Sequence, residues 1–274
     1  MSRRAPAVSG TFYPADPARL RADVEAYLGA PRASRRRALA VIAPHAGYVF
    51  SGATAGFVFA TVHIPATCIV LAPNHTGSLG VRSGGSVLLA SEYETPLGAV
   101  AVDTELGGRL LLAAPGLLGE DAIAHVKEHS LEVILPFLQV RRPDVRIVPI
   151  VIAWSEWEES RVLAEAIAAV VGNRDDVLVV ASSDMNHFES AAVTRAKDSL
   201  ALERVTALDG QGLLALTRER EITMCGRIPS AIACEYARLR GGRAGEVIAY
   251  SHSGLVNGDE QRVVGYAGVV LGGA

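Results

Sequence analysis

Short, unbroken runs of Val, Ile, Leu and Ala recur along the chain, and amphipathic stretches of helical length lie between them. The runs are predicted as strands at 38–43, 67–72, 86–91, 145–152, 177–182, 246–251 and 263–270. Continuous apolar runs, rather than alternating ones, are typical of strands that are covered on both faces. The pattern predicts an α/β fold: a layered sandwich with a mostly parallel central sheet and helices on both faces.

The stretches between the runs are predicted as helices at 16–28, 51–61, 103–112, 130–140, 155–171, 190–208, 210–219 and 226–240. Asp103, Ser155 and Asp209 are predicted N-caps, because their side chains can accept a hydrogen bond from the first helical turn. The sequence contains no internal repeat, low-complexity segment or linker that would divide this pattern. Residues 1–274 are therefore predicted to form one domain.

Composition argues against several classes of protein. The net charge is −3 and the one basic run is residues 35–37, so no nucleic-acid partner is expected. Three cysteines without CxxC spacing indicate free thiols in a reducing compartment. The basic start MSRR is not followed by an apolar stretch, and no apolar run reaches the length of a membrane span. A cytoplasmic protein without a membrane partner is expected.

Histidines follow three of the predicted strands at the point where each strand ends. His45 comes after AVIAP, His75 after CIVLAPN, and His187 closes the stretch SSDMNH that follows VLVVA. The last stretch also carries Asp184. Because ligands of open α/β sheets bind beyond the carboxyl ends of the strands, these side chains are expected to share one site. His125 and His129, in AHVKEHSLEVILPF, are further candidates.

A cluster of histidines serves metal binding or acid–base catalysis, because neutral imidazole offers a lone pair and its pKa lies near neutrality. Two histidines rarely hold a metal alone, so a third ligand is expected. The candidates are Asp184, Glu128, Glu132 and a cysteine. Cys225 is the favoured cysteine, since it stands at the predicted start of a helix, a position that lowers the pKa of a thiol. Cys68 and Cys234 lie within a predicted strand and helix and are expected in the core.

Other chemistries have weaker support in the sequence. Ser182 and Ser183 precede His187, but no GxSxG turn surrounds either serine, which argues against a metal-free hydrolase. The glycines fit neither the GxGxxG nor the GxxxxGK[ST] spacing of phosphate-binding loops. His63 and His252 are interpreted as surface or loop residues.

Seven segments, in order, resemble those of the Memo family, whose prokaryotic members are called AmmeMemoRadiSam system protein B. The segments are AVSGTFYPAD, IAPHAGYVFSG, LAPNHTG, EHSLEVILPFLQ, SSDMNHF, CGRIPSAI and YSHSGLVNGDEQRVVGYAG. The resemblance covers essentially the whole chain. It implies an α/β sandwich similar to the class III extradiol (LigB-like) dioxygenases.

The resemblance also implies roles for individual residues. It implies one transition metal ion bound by His45, His75 and Cys225. It also implies that the other active-site residues are His187, Asp184 and His129. A cysteine stands where the dioxygenases use a glutamate, and thiolate is a softer ligand. Iron or copper is therefore the expected metal, with zinc as a further option.

Two functions stay open at this point. The first is a metal-dependent, dioxygenase-like oxidoreductase of unknown substrate, with His187 as acid–base and Asp184 orienting it or a bound water. The second is a non-catalytic module that uses the same cleft to handle metal or bind a peptide. The acid–base pair favours the enzyme, because a binding module has no need of it. The expected partners are a small molecule or peptide in the cleft and, by the resemblance, the other AmmeMemoRadiSam system proteins.

Overall fold

The computed structural model describes residues 3–30, 35–77, 84–90, 92–153 and 156–272. The strands are β1 (Arg3–Arg4), β2 (Ala40–Ala43), β3 (Thr67–Pro73), β4 (Gly85–Val87), β5 (Glu92–Thr95), β6 (Gly98–Val102), β7 (Leu118–Glu120), β8 (Arg146–Ile152), β9 (Val177–Ser182), β10 (His187–Glu189), β11 (Gly245–His252) and β12 (Val263–Leu271). The helices are α1 (Pro17–Leu28), α2 (Tyr48–Thr61), α3 (Thr104–Ala113), α4 (Ile123–Val126), α5 (Leu135–Arg141), α6 (Trp157–Val171), α7 (Ala191–Thr206), α8 (Gly210–Glu219), α9 (Arg227–Leu239) and α10 (Gly254–Asn257), with a 3₁₀ turn at Glu132–Ile134.

These strands belong to one sheet, whose main path runs β1-β5-β6-β8-β3-β9-β2-β12-β10. The five strands from β6 to β2 are parallel neighbours. Antiparallel strands extend the sheet on both sides: β12 and β11 beside β2, and β4 beside β8. The predicted α/β fold with a mostly parallel central sheet is confirmed.

Each central strand buries side chains on both faces. In β3, Ile69 and Leu71 pack in one apolar core, whereas Cys68 and Val70 pack in another. Successive side chains of a strand point to opposite faces, so the two cores lie on opposite faces of the sheet. Helices α3, α6, α8 and α9 contribute to the first core, and α1, α2 and α5 to the second. The predicted layered sandwich is thereby confirmed. Among the described helices, none combines the length and the apolar character needed to cross a membrane.

Most predicted element boundaries agree with the structure. Strand 177–182 and helix 210–219 are matched to the residue. The predicted strand 86–91 was too long, because β4 ends at Val87; residue 91 lies outside the described residues. The predicted helix 130–140 begins as the 3₁₀ turn and continues as α5.

The predicted N-caps were correct where the structure describes them. The Asp103 carboxylate accepts a hydrogen bond from Leu106 N at 3.0 Å, and that of Asp209 accepts one from Gly212 N at 2.7 Å. Ser155 lies outside the described residues. These caps satisfy amide groups that the first turn of each helix leaves unpaired.

Candidate metal centre

The carboxyl ends of β2, β3 and β9 lie at one edge of the sheet, because the three strands are parallel neighbours. His45, His75 and Asp184 each stand two residues beyond one of these ends. His129 approaches from the segment between α4 and the 3₁₀ turn. Three loops and a fourth segment therefore deliver polar side chains to this edge of the sheet.

His45, His75 and His129 form a cluster. Each offers one ring nitrogen, and the three nitrogens lie within 4.8 Å of one another. The ring centroids are 5.2 Å apart for His45 and His75, 5.6 Å for His45 and His129, and 4.7 Å for His75 and His129. Within the described ranges, this is the group of His, Cys, Asp and Glu side chains with the spacing of metal ligands. The donor set suits a transition metal.

The hydrogen bonds of His45 assign its tautomer. Its Nδ1 lies 2.7 Å from Ser182 Oγ, and that hydroxyl donates its own proton to Ser130 O at 2.6 Å. Since a hydroxyl has one proton, Nδ1–H of His45 must be the donor to Ser182, and Nε2 is left with a free lone pair. His45 is buried, and burial together with the neighbouring histidines lowers its pKa, so the ring is neutral.

His75 is held in the same tautomer by a carboxylate. Its backbone N–H donates to Glu128 Oε2 at 2.5 Å, and its Nδ1 lies 3.0 Å from Glu128 Oε1. Burial alone would raise the pKa of Glu128, but hydrogen bonds from His75 and Ser130 outweigh burial and lower the pKa to about 2. An ionised carboxylate only accepts, so Nδ1 of His75 donates and Nε2 keeps its lone pair.

His129 shares this carboxylate. Its Nδ1 lies 3.5 Å from Glu128 Oε1, and its ring packs against Phe12, with 4.8 Å between the ring centroids. Burial lowers the pKa of His129, which leaves the ring neutral near pH 7. Glu128 is thus the residue behind two of the three clustered histidines. Among the described residues, the group with metal-ligand spacing does not include Glu128, whose carboxylate accepts hydrogen bonds from His75 and Ser130.

Glu132, another candidate ligand, is turned away from the cluster. Its side chain is fully buried and forms an ion pair with Arg4. It also accepts hydrogen bonds from Ala7 N at 2.8 Å, from Val8 N at 3.1 Å and from the Tyr13 hydroxyl. Glu132 therefore fixes the N-terminal segment and has no free lone pair to offer a metal.

Cys225 contacts the cluster at His45. Its Sγ lies 3.4 Å from His45 Nε2 and accepts a hydrogen bond from Asp184 N at 3.2 Å. The expected lowering of its pKa is wrong for the metal-free protein: burial and the nearby Asp184 carboxylate raise the pKa of this thiol. The expectation placed Cys225 at the start of a helix. In the structure α9 begins at Arg227 with Gly226 as N-cap, so Cys225 precedes the helix. The assignment of Cys225 as a metal ligand stays a prediction.

A close backbone approach sets the position of Cys225. A methyl group added at Gly226 would lie 2.2 Å from Ser182 O and 2.4 Å from Ser183 Cβ. The start of α9 can therefore pack directly against the end of β9 only because residue 226 has no side chain. The Gly226 N–H donates to Ser183 Oγ at 3.1 Å, which secures this contact.

Asp184 is buried beneath the loop that carries His45. Its Oδ1 accepts a hydrogen bond from His45 N at 2.8 Å. Burial raises the pKa of this carboxyl, while the amide hydrogen bonds from His45 and Ala46 lower it, and the result is a pKa of about 6. The geometry gives Asp184 a positioning role for the His45 loop.

His187 stands apart from the three clustered histidines but is held in the same way. Its Nδ1 lies 2.8 Å from the carbonyl oxygen of Thr223, so Nδ1 donates and Nε2 has a free lone pair. Burial lowers the pKa of His187, and this ring is also neutral near pH 7. Phe188, next in the chain, has φ of +64°, a strained conformation of the kind that clusters at functional sites.

Sequence reasoning missed the supporting residues. Ser182, Ser130 and Thr223 fix ring orientations through hydrogen bonds that join residues up to 137 positions apart. His125, in contrast, was a candidate that the structure keeps away: it is buried between Tyr93 OH at 2.6 Å and Ser86 Oγ at 3.1 Å. Burial lowers its pKa to about 3, so it is a neutral core residue.

The fold and the cluster define an α/β sandwich protein with a histidine-lined candidate metal centre. The chain matches the family model of "Memo-like protein" over residues 4–270, and it belongs to this family. It is 38% identical to a MEMO1 family protein of Aquifex aeolicus, over 99% of this chain and 100% of the relative. It is also 38% identical to one of Methanopyrus kandleri and 37% identical to one of Methanothermobacter thermautotrophicus, each over at least 96% of both chains.

Proposed function

We propose that this Memo-family protein is a metal-dependent oxidoreductase, dioxygenase-like, that binds one iron or copper ion, with zinc as a further option. The observation that carries the proposal is the cluster of three histidine nitrogens within 4.8 Å. Two of these rings have Nδ1 engaged by Ser182 or Glu128, which leaves Nε2 available to a metal. Such outer partners are characteristic of metal-ligating histidines.

The residues present fit a transition metal. His45 and His75 would supply two nitrogen donors, and Cys225 or His129 would supply the third donor. Nitrogen and sulfur donors together favour copper, iron or zinc over magnesium or calcium. When bound, a copper or iron ion supplies one-electron redox chemistry and Lewis acidity.

The remaining polar groups serve the substrate and the site. His187 is neutral near pH 7 with Nε2 free, so it can accept a proton from a substrate hydroxyl or donate one after protonation. Asp184 holds the backbone of His45 in place. Thr223 fixes His187 through two contacts, since its hydroxyl accepts a hydrogen bond from His187 N and its carbonyl accepts one from Nδ1.

A second candidate function is metal handling without turnover, in which a small molecule or peptide binds in the same cleft. The observation that favours it is the position of His75, whose side chain is 32% exposed. A ligand at the surface can release its ion to a partner, such as another protein of the AmmeMemoRadiSam system. Substrate turnover distinguishes the two functions.

The test of metal binding uses anaerobic protein titrated with Cu(I), Fe(II) or Zn(II), with metal per chain measured by mass spectrometry. We expect close to one ion per chain, and a severe loss of occupancy in His45→Ala and in His75→Ala. His63→Ala is the matched control, because His63 is exposed and outside the cluster. His129→Ala and Cys225→Ser identify the third ligand. Unchanged metal content in both His45→Ala and His75→Ala would overturn the site.

The test of chemistry measures oxygen uptake by the metal-loaded protein against a small panel of catechols. We expect His187→Ala to keep its metal and to lose turnover, because its ring is held outside the three-histidine cluster. Loss of the metal in His187→Ala would make it a ligand instead. A loaded protein without uptake on any catechol would favour metal handling.

A further inference from the structure

A cleft lined by arginines lies at the opposite edge of the sheet. Its volume is about 510 Å³, and Leu39 and Val177, at the amino ends of β2 and β9, form part of its floor. The histidine cluster follows the carboxyl ends of the same two strands and β3. The cleft is therefore separate from the candidate metal centre, by the length of the central strands.

Positive charge dominates the lining of this cleft. Four arginines and one aspartate face it: Arg37, Arg174, Arg240, Arg243 and Asp175. Arg37 pairs with Asp175 at 2.5 Å, but both side chains are more than 70% exposed. Exposed ion pairs of this kind contribute at most about 1 kcal/mol to the free energy of unfolding, so Arg37 can exchange Asp175 for another partner. Arg174 is paired in turn with Asp176.

Arg240 carries a charge that no carboxylate offsets among its described contacts. Its guanidinium donates to the Tyr236 hydroxyl and to the carbonyl oxygen of Arg174, each at 2.9 Å. Both acceptors are neutral, so they fix the side chain in place without neutralising it. A guanidinium has five N–H donors, and these two bonds leave donors for a ligand. A held cation with spare donors is a feature of anion sites.

Arg243 adds a second free charge. It is exposed and makes no hydrogen bond or ion pair with any residue in the described ranges. The loop that carries it is nevertheless anchored: Gly242 N donates to Ala237 O at 2.8 Å, and Gly272 N donates to Ala244 O at 3.1 Å. When Arg243 binds a ligand, the main entropic cost is then the ordering of its own side chain.

Size and lining together indicate the class of ligand. The volume lies within the range of small-molecule sites, roughly 300–1,000 Å³. Ala38, Leu39 and Val177 provide an apolar floor beside the arginines. A molecule with both an apolar body and a phosphate matches this lining better than a bare anion does, and arginine forks bind phosphate through paired hydrogen bonds.

We propose that this arginine cleft binds a small organic phosphate of nucleotide size, with its phosphate at Arg240 and Arg243 and its apolar body over Leu39 and Val177. The proposal is independent of the metal centre. It assigns the amino-end edge of the sheet a ligand-binding role of its own.

The experiment titrates metal-free protein with ADP, inorganic pyrophosphate and adenosine, each followed by calorimetry. We expect ADP to bind more tightly than pyrophosphate, and adenosine to bind at least tenfold more weakly than ADP. Arg240→Gln and Arg243→Gln should each weaken ADP binding by about tenfold, the usual effect of a lost charged hydrogen bond. Rising salt should weaken it as well.

Matched controls keep the result interpretable. Arg243→Gln removes an exposed side chain without described partners, so its fold should be intact even if Arg240→Gln is destabilised. Arg21→Gln is the control arginine, exposed on α1 and remote from the cleft lining. Absence of ADP binding at millimolar concentration, or an ADP affinity in both cleft variants equal to that of the unchanged protein, would overturn the proposal. So would an ADP affinity that falls in His75→Ala and not in Arg243→Gln, since that places the ligand at the histidines.

Discussion

Two buried glutamates four residues apart hold different segments of this protein. Glu128 accepts hydrogen bonds from His75 and Ser130 and lies behind the histidine cluster. Glu132 forms an ion pair with Arg4 and binds the amides of the N-terminal segment. One carboxylate faces imidazole rings, and the other faces a guanidinium.

The difference shows what each carboxylate can do. A buried carboxylate beside a guanidinium is compensated and serves stability, since its lone pairs are all used. A buried carboxylate beside imidazoles that bind a metal orients them and raises their basicity toward the metal. The two residues are close in sequence, so sequence position does not explain their different roles. The roles differ because folding brings a different partner to each carboxylate.

The largest expected effect follows from removing the compensated charge. Glu132→Gln leaves the buried Arg4 guanidinium without its counter-ion, and we expect a loss of about 3–5 kcal/mol in the free energy of unfolding. Urea denaturation measures it. Glu25→Gln, in an exposed pair with Arg21, should cost less than about 1 kcal/mol. Equal losses in the two variants would remove the distinction between them.

The second effect concerns metal affinity. Glu128→Gln replaces an oxygen that accepts from His75 with a group that can donate, so His75 loses its fixed orientation. We expect metal affinity to fall by about 10–100-fold, measured by competition with a chelator. Glu132→Gln is the crossed control and should keep its affinity. If both variants lose affinity alike, the two carboxylates do not have separate roles.

At Gly226, close backbone packing rather than a carboxylate positions a residue of the site, Cys225. Gly226→Ala places a methyl group 2.2 Å from Ser182 O, and we expect a cost of about 1–3 kcal/mol together with lower metal occupancy. Gly108→Ala, in α3 with open space around it, should be neutral or stabilise by up to about 1 kcal/mol. Thermal unfolding and metal analysis give the two readouts.

The smallest effect is a rate. In metal-free protein the pKa of Cys225 is raised, so the reactive thiolate is scarce at pH 7 and becomes more abundant as pH rises. We expect alkylation at pH 7 to be at least about tenfold slower than for an exposed thiol, to accelerate toward pH 10, and to slow further with bound copper. Mass mapping should still find Cys225 ahead of Cys68 and Cys234, which are fully buried. A rate that does not change with pH would contradict the raised pKa.

The sequence predicted the parts of the fold that have a local signature. The central strands β3, β8 and β9 are continuous apolar runs, and their bounds agree with the prediction to within a residue. The hairpin of β5 and β6 was missed, because Glu92 and Glu94 alternate with buried Tyr93 and Thr95 and interrupt any apolar run. β1 has two residues, too few for any pattern.

The site was predictable only in its location. Strand ends place His45 and His75 together by topology alone. The backing of each ring by Ser182 or Glu128, and the raised pKa of Cys225 beside Asp184, depend on contacts between segments far apart in sequence. The hydrophobic periodicity of a sequence does not predict such contacts.

The ion pair between Arg4 and Glu132 also sets an order of events during synthesis. Its two residues are 128 positions apart. At about 5–20 residues per second, Arg4 is synthesised roughly 6–26 s before its partner. During that interval the N-terminal segment lacks its carboxylate, and its sheet neighbour β5 is completed only in the later part of it. The first residues to be translated therefore depend on the middle of the chain for their native contacts, and a nascent chain that has not reached Glu132 offers them to chaperones and proteases.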